Sequence, residues 1–301
     1  MAMEQVALSD DLTISRIVHG MWRLSEWGFS DKDTLNFVEQ CLEMGIDTFD
    51  HADIYGDYTV EEQFGKALSQ NKSLNDKLKI VTKCGIKLVS KNRPEHYIKH
   101  YNTSYGHIIW SAEYSLKNLQ RDNIDLLLIH RPDPYTDPYE VAKAFNKLKE
   151  EGKVKEFGVS NYLPSQFHAL QAYLDFPLVT NQVEISVAAH QEWDNGTIDL
   201  CQELGMSPMA WSPLAGGAIF SAQTHRYITL KNVIHQVSDN LGVSIDQVMY
   251  AWLLNHPANI IPIVGSGKIE RVKAAVEARK VELTRQQWFQ IWVAARGESV
   301  P

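Results

Sequence analysis

From residue 31 to the C-terminus the chain alternates short apolar runs with helical patterns, and a residue able to do chemistry repeatedly follows the apolar run. Asp50 follows Thr48-Phe49, Lys83 follows Ile80-Val81-Thr82, and His130 follows Leu126-Leu127-Leu128-Ile129. Ser160-Asn161 follow Gly158-Val159, and Gln182 follows Val179-Thr180-Asn181. Trp211 follows Met209-Ala210, and Gly265-Ser266 follow Ile263-Val264. Runs that are apolar nearly throughout are the mark of parallel strands buried on both faces. In a closed parallel barrel all these strand ends share one rim, the C-terminal one, where barrel enzymes do their chemistry.

The expected strands are Ile46–Phe49, Lys79–Thr82, Ile124–Ile129, Val154–Val159, Leu178–Asn181, Ser207–Ala210 and Ile260–Val264. Between them run expected helices such as Asp31–Met44, Thr59–Leu68, Ile108–Leu119, Pro138–Glu150 and Pro164–Ala172, several ended by glycine. Helical patterns at Gly196–Glu203, Leu230–Leu241, Ile245–Leu254, Ile269–Ala278 and Arg285–Ala294 continue the alternation, and Val6–Ile17 reads as a small hairpin around Ser9-Asp10-Asp11. This alternation over 301 residues predicts an α/β fold, a (β/α)8 TIM barrel with a short N-terminal β-hairpin. A doubly wound sheet lacks its GxGxxG after the first strand. No linker-like stretch interrupts the pattern, so residues 1–301 are expected to form a single domain.

Composition narrows the function classes. With 29 Lys+Arg against 37 Asp+Glu the net charge is −8. That argues against a general nucleic-acid or anionic-membrane binder. Cys41, Cys84 and Cys201 are odd in number and without a CxxC. Together with a polar N-terminus unlike a targeting segment, they point to a reduced, cytoplasmic protein. No apolar run approaches membrane-spanning length. His51 and Asp53 are two spaced ligand types without a third, so no metal site is expected.

Taken singly, the rim residues also fit structural roles: Lys83 a solvated end charge, His130 a turn cap, Asp50 a buried acid, Tyr55 loop packing. Their joint placement favours a site, since an Asp–Lys pair perturbs pKa values and a nearby tyrosine offers a proton.

The segment Asp50-His51-Ala52-Asp53-Ile54-Tyr55-Gly56 resembles the signature of the aldo-keto reductase family. Val81-Thr82-Lys83, Leu128-Ile129-His130-Arg131-Pro132, Gly158-Val159-Ser160-Asn161, Asn181-Gln182-Val183-Glu184 and Trp211-Ser212-Pro213-Leu214 match further family blocks in order. The resemblance covers about Gly20 to Thr284 and is nearest to a group of bacterial oxidoreductases. It implies hydride transfer from NADP(H), with NAD(H) not excluded, to a small-molecule aldehyde or ketone. The implied catalytic residues are Tyr55 as general acid, Lys83 lowering its pKa, Asp50 fixing Lys83, and His130 orienting the carbonyl. The implied cofactor contacts are Met21 and Trp22, then Ser160, Asn161 and Gln182 on the nicotinamide amide, with Trp211 stacked on its ring. Ser212, Leu214 and Gly216 would follow the pyrophosphate, and Ser266, Lys268 and Arg271 the 2′-phosphate.

Ala274-Ala275 stand where the family commonly has Glu-Asn, and Ile185 where tyrosine is frequent. The Cys84–Tyr105 stretch is expected to cover substrate or to be a plain excursion. Trp22, Trp27, Tyr58 and Trp110 are expected to line an aromatic pocket. Two other readings stay open, a cofactor-binding regulatory subunit and a Schiff-base aldolase using Lys83.

Overall fold

Eight parallel strands close on themselves in the computed structural model, which describes residues 3–221 and 224–301. In chain order they are β1 (Val18–Gly20), β2 (Thr48–Asp50), β3 (Lys79–Cys84), β4 (Ile124–Ile129), β5 (Val154–Ser160), β6 (Asn181–Glu184), β7 (Met209–Trp211) and β8 (Ile261–Val264). Each pairs with its sequence neighbours, and β8 returns to β1 through Ile263 opposite Val18 and Val264 opposite His19. The (β/α)8 barrel and the N-terminal hairpin are therefore as expected.

The hairpin pairs Gln5–Ala7 with Thr13–Ser15 and closes the N-terminal end of the barrel. Val6, Leu12 and Ile14 join Val18, Val81, Leu126, Leu128, Met209, Ile261 and Ile263 in one apolar cluster inside the strands. With that end filled by side chains, the opposite rim is the free one. Arg16 ties the hairpin to the barrel wall through the carbonyls of Leu254 and Ile260. Outside the strands, three further apolar clusters sit under the helices.

Local signals set the helix starts. Ser30 caps Asp31–Glu43 in a capping box with Asp33, and Asp137 caps Pro138–Glu150. Two helices begin earlier than their apolar periodicity, at Tyr105 under the Ser104 cap and at His225 under the Thr224 cap. Gly65 has a structural reason to be glycine. A Cβ there would lie 2.0 Å from the Asn118 carbonyl oxygen, where the helices Val60–Leu68 and Tyr105–Leu119 meet.

The strand positions differ from expectation in an instructive way. β1 has no signal of its own, being three residues long with a histidine at its centre. β6 starts at Asn181 rather than Leu178, β2 reaches Asp50, and β7 reaches Trp211. Polar residues belong to these strands because the barrel interior at that level is the site, where buried polar groups find partners.

Candidate active site

Lys83, near the end of β3, is 1% exposed and has all three ammonium donors engaged. Its Nζ donates to Asp50 Oδ2 at 2.7 Å, to the His51 carbonyl at 2.6 Å and to Tyr55 Oη at 3.0 Å. Strand register brings them together: β2 and β3 are neighbours with Asp50 opposite Val81, two residues before Lys83. Asp50 Oδ1 accepts from Gln182 Nε2 at 2.8 Å, which links β6 to the same cluster across the barrel. Tyr55 stands one turn beyond β2, and its ring meets the His130 ring edge-on with centroids 6.0 Å apart.

Burial pulls the Lys83 ammonium down, but pairing with Asp50 and Tyr55 outweighs it and leaves Lys83 above its ordinary value. A nucleophilic lysine needs a free amine. Lys83 is held as a fully donating cation, the wrong state for a Schiff-base role. Burial also pushes the Tyr55 phenol up, and Asp50 and Asp53 add to this while Lys83 opposes it. Lys83 thus acts in the expected downward direction, and burial outweighs it in the resting site. Desolvation of the phenolate outweighs the single ammonium beside it. His130 is driven well below 6.5 by burial and then by the Lys83, Arg131 and Lys99 charges, so it is neutral. Its Nδ1 is buried and has no hydrogen-bond partner among the described residues.

A second group lies beside this cluster on β5, β6 and β7. Ser160 Oγ donates to the Gln182 carbonyl at 2.7 Å, and Asn161 Nδ2 donates to Ser160 Oγ at 2.7 Å. Trp211 Nε1 donates to Asn161 Oδ1 at 3.0 Å. Asn161 (φ 61°) and Ser212 (φ 51°) adopt left-handed backbone that ordinary side chains rarely take, and such strain concentrates at functional sites. Gly216 (φ 61°) is exposed, and a side chain there would meet open space.

Other expected residues lie elsewhere around the rim. Ser266 is half-buried, and its Oγ accepts from the Lys268 amide at 3.2 Å; Lys268 precedes the helix Ile269–Glu277. Lys268 and Arg271 are exposed there. Met21 is fully buried, with its amide donating to the Asp50 carbonyl and its carbonyl accepting from the Leu24 amide, whereas Trp22 is 55% exposed beneath Arg23. Ala275 packs into the apolar core, so position 275 carries no side chain toward a ligand.

The expected aromatic pocket is not formed as a unit. Trp27 packs against His19, Phe29 and Phe37, while Tyr58 is buried with its Oη accepting from the Leu88 amide. Trp110 stacks on Tyr114, under Arg93 and Lys87. In the Cys84–Tyr105 stretch, Ile86–Lys87 and His100–Tyr101 form a small antiparallel ladder.

A buried acid pair behind the site left no signal in the sequence reading beyond two ordinary carboxylates. Glu61 accepts from Thr82 Oγ1 at 2.6 Å and Ser115 Oγ at 2.9 Å, and Asp53 accepts from Ser111 Oγ at 2.8 Å. Burial raises both, to about 7, with Glu61 adding to the rise at Asp53. The folded chain therefore keeps these protons where the unfolded chain has released them. Their stabilisation is fully present below the ordinary carboxylate range and is lost as pH rises through about 7. Glu61→Gln removes one titration, so urea unfolding at pH 5 and pH 8 is expected to move the stability difference toward the variant by roughly 1–3 kcal/mol at the higher pH. A difference that does not change with pH would show that Glu61 carries no linked proton.

The sequence model of the aldo/keto reductase family matches residues 16–294. Oxidoreductase YdhF of Escherichia coli K12 is 50% identical over 288 residues, 95% of each chain. A 6-dehydroglucose reductase of Agrobacterium fabrum is 44% identical over 303 residues, 99% of this chain and all of the other. Among solved structures, an aldo/keto reductase from Klebsiella pneumoniae in complex with NADP and acetate superposes with a TM-score of 0.76. It is 23% identical, with 96% of this chain and 94% of that chain covered. No helix among the described residues is long and apolar enough to cross a membrane.

Proposed function

The chain belongs to the aldo/keto reductase family of NAD(P)H-dependent oxidoreductases, and on that premise we propose that it reduces an aldehyde or ketone to the alcohol with NADPH, using Tyr55 as general acid. The observation that carries this reading is the threefold hydrogen bonding of Lys83 to Asp50, the His51 carbonyl and Tyr55. We read the whole chain as one barrel unit acting from its C-terminal rim.

The residues present suit a nicotinamide dinucleotide. A ring amide needs mixed donors and acceptors, and Ser160, Asn161 and Gln182 offer both beside the flat face of Trp211. Ser212, Leu214 and Gly216 would border the pyrophosphate, where the open backbone at Gly216 permits close approach. Trp22 would flank the entrance, with the buried Met21 behind it. Ser266, Lys268 and Arg271 would take the 2′-phosphate at a helix N-terminus, which favours anions. When bound, the dinucleotide supplies the hydride.

The protein's own residues manage the proton and the developing charge. Tyr55 is a neutral phenol at rest, so it holds the proton the carbonyl oxygen will need. As that proton leaves, the Lys83 ammonium already lies against the phenol oxygen and stabilises the phenolate that forms. This stabilisation grows with the charge, so it lowers the barrier rather than merely binding substrate. Asp50 keeps Lys83 charged and fixed, and Gln182 fixes Asp50 in turn. Neutral His130 offers a ring nitrogen to the carbonyl oxygen without competing for the acid's role. The Cys84–Tyr105 segment lies on the same rim and would cover the substrate.

Cofactor consumption followed by absorbance, with a panel of aldehydes and with NADPH and NADH side by side, tests the reading. Aldehyde-dependent oxidation is expected, with NADPH favoured by roughly 10–100-fold in KM for charge-assisted contacts to one phosphate. Cofactor binding without turnover of any carbonyl would instead identify a nucleotide-sensing subunit.

A further inference from the structure

Trp27 reaches from the loop after β1 and lies against Gly267, three residues beyond the end of β8. A Cβ at Gly267 would meet Trp27 Cδ2, Cγ and Cε2 at 2.6, 2.8 and 2.9 Å. Cδ2 is a ring-fusion atom and can be approached only over a face, so the indole lies flat on the glycine. Gly267 is not among the glycines with positive φ, so its backbone does not itself call for glycine. The indole does. A fused ring has no flexible end to swing aside, and any side chain at 267 would displace the loop or the tryptophan.

Trp27 is backed in turn by a group of rings. It meets His19 edge-on with centroids 5.9 Å apart, and it tilts against Phe29 at 5.4 Å and Phe37 at 5.6 Å. Its amide donates to the Leu24 carbonyl at 3.2 Å, which closes the short turn Leu24–Glu26. His19 grips the same loop from within the barrel. It is fully buried at the centre of β1, between Val264 of β8 and Phe49 of β2. Burial lowers it to about 4, so the ring is neutral near pH 7. A carbonyl only accepts, so Nε2 carries the proton and donates to the Ser266 carbonyl at 3.1 Å, while Nδ1 faces Met21 Sδ.

The turn is thus fixed at Ser266 by His19 and at Gly267 by Trp27. Ser266 Oγ accepts from the Lys268 amide, and the helix Ile269–Glu277 with Arg271 follows directly. A shift of the Gly267 backbone therefore moves Ser266 and Lys268 together. Charge-assisted hydrogen bonds depend on where their donors stand, and a loop already in its binding shape needs no ordering when a ligand arrives. We infer that Trp27 is a positioning residue which, by lying on Gly267, holds the Gly265–Lys268 loop in the shape that selects a 2′-phosphorylated dinucleotide. The inference rests on the reading of Ser266, Lys268 and Arg271 as phosphate contacts, and Trp27 acts through Gly267.

The test needs no turnover. Adenosine 2′,5′-bisphosphate and 5′-AMP differ only in the 2′-phosphate, and calorimetry reads the binding of each to the full chain. The wild type is expected to prefer the bisphosphate by roughly 10–100-fold. Gly267→Ala should cut that preference by about 10-fold, one charge-assisted hydrogen bond's worth, with 5′-AMP affinity within about twofold of wild type. Trp27→Leu should cut it by about 3–10-fold, since the loop loses its plate. The double variant should be no worse than Trp27→Leu alone, because the added methyl has no ring to meet, and that non-additivity marks direct contact. Gly267→Ala decides the matter alone if Trp27→Leu does not fold. Equal losses for both nucleotides would show general loosening and overturn the inference, as would an unchanged preference or additive effects. A wild type with no preference for the bisphosphate would overturn the phosphate reading itself, and the inference with it.

Discussion

Tyr55→Phe is expected to bind NADPH as the wild type does and to lose carbonyl reduction by roughly 10²–10⁴-fold in kcat, the range of a positioned general acid. The substitution removes one oxygen. The ring stays, with its edge-on contact to His130, and Lys83 keeps its bonds to Asp50 and the His51 carbonyl. Fluorescence titration with NADPH reads binding, and single-turnover kinetics read the chemical step. Because the resting phenol is pushed up by burial, wild-type activity should persist across neutral pH without a loss that tracks Tyr55 ionisation. Turnover within about tenfold of wild type in Tyr55→Phe would remove Tyr55 from the acid role and leave His130 as the next candidate.

The second large effect concerns stability as well as rate. Lys83→Met leaves Asp50, 2% exposed, as a charge without its cation. Removing one partner of a buried pair costs about 3–5 kcal/mol. For a chain of this size that lowers Tm by roughly 5–8 °C. Activity should fall at least as far as in Tyr55→Phe, since charge stabilisation and phenol placement are lost together. The double variant Asp50→Asn/Lys83→Met separates the two effects: it should recover most of the stability and none of the turnover. A Lys83→Met protein as stable as the wild type would mean that Asp50 takes up a proton or finds another partner. The pair would then not be the strut described above.

The alternation of apolar runs and helical patterns was enough to read the barrel, because parallel strands covered by helices must be apolar on both faces. It was enough, too, to place Asp50, Lys83, His130 and Trp211 at strand ends. It could not locate β1, a three-residue strand held by its neighbours and by the hairpin rather than by its own composition. It moved β6 three residues early, since Asn181 and Gln182 look like a loop until the partners that satisfy them are known. Trp27, Tyr58 and Trp110 show the same limit: an aromatic residue near a rim can face a ligand, a loop or a helix, and periodicity does not distinguish them.

The sequence by itself therefore determined the fold and the identity of the residues gathered on the rim, because both depend on order and spacing along the chain. Only the tertiary structure decided their electrical state. Tyr55 is raised rather than lowered because its oxygen is desolvated among Asp50, Asp53 and Lys83, which come from different strands and loops. Glu61 and Asp53 hold protons near neutrality because helix and strand close over them together. Desolvation is a property of three-dimensional enclosure, and no linear spacing encodes it directly.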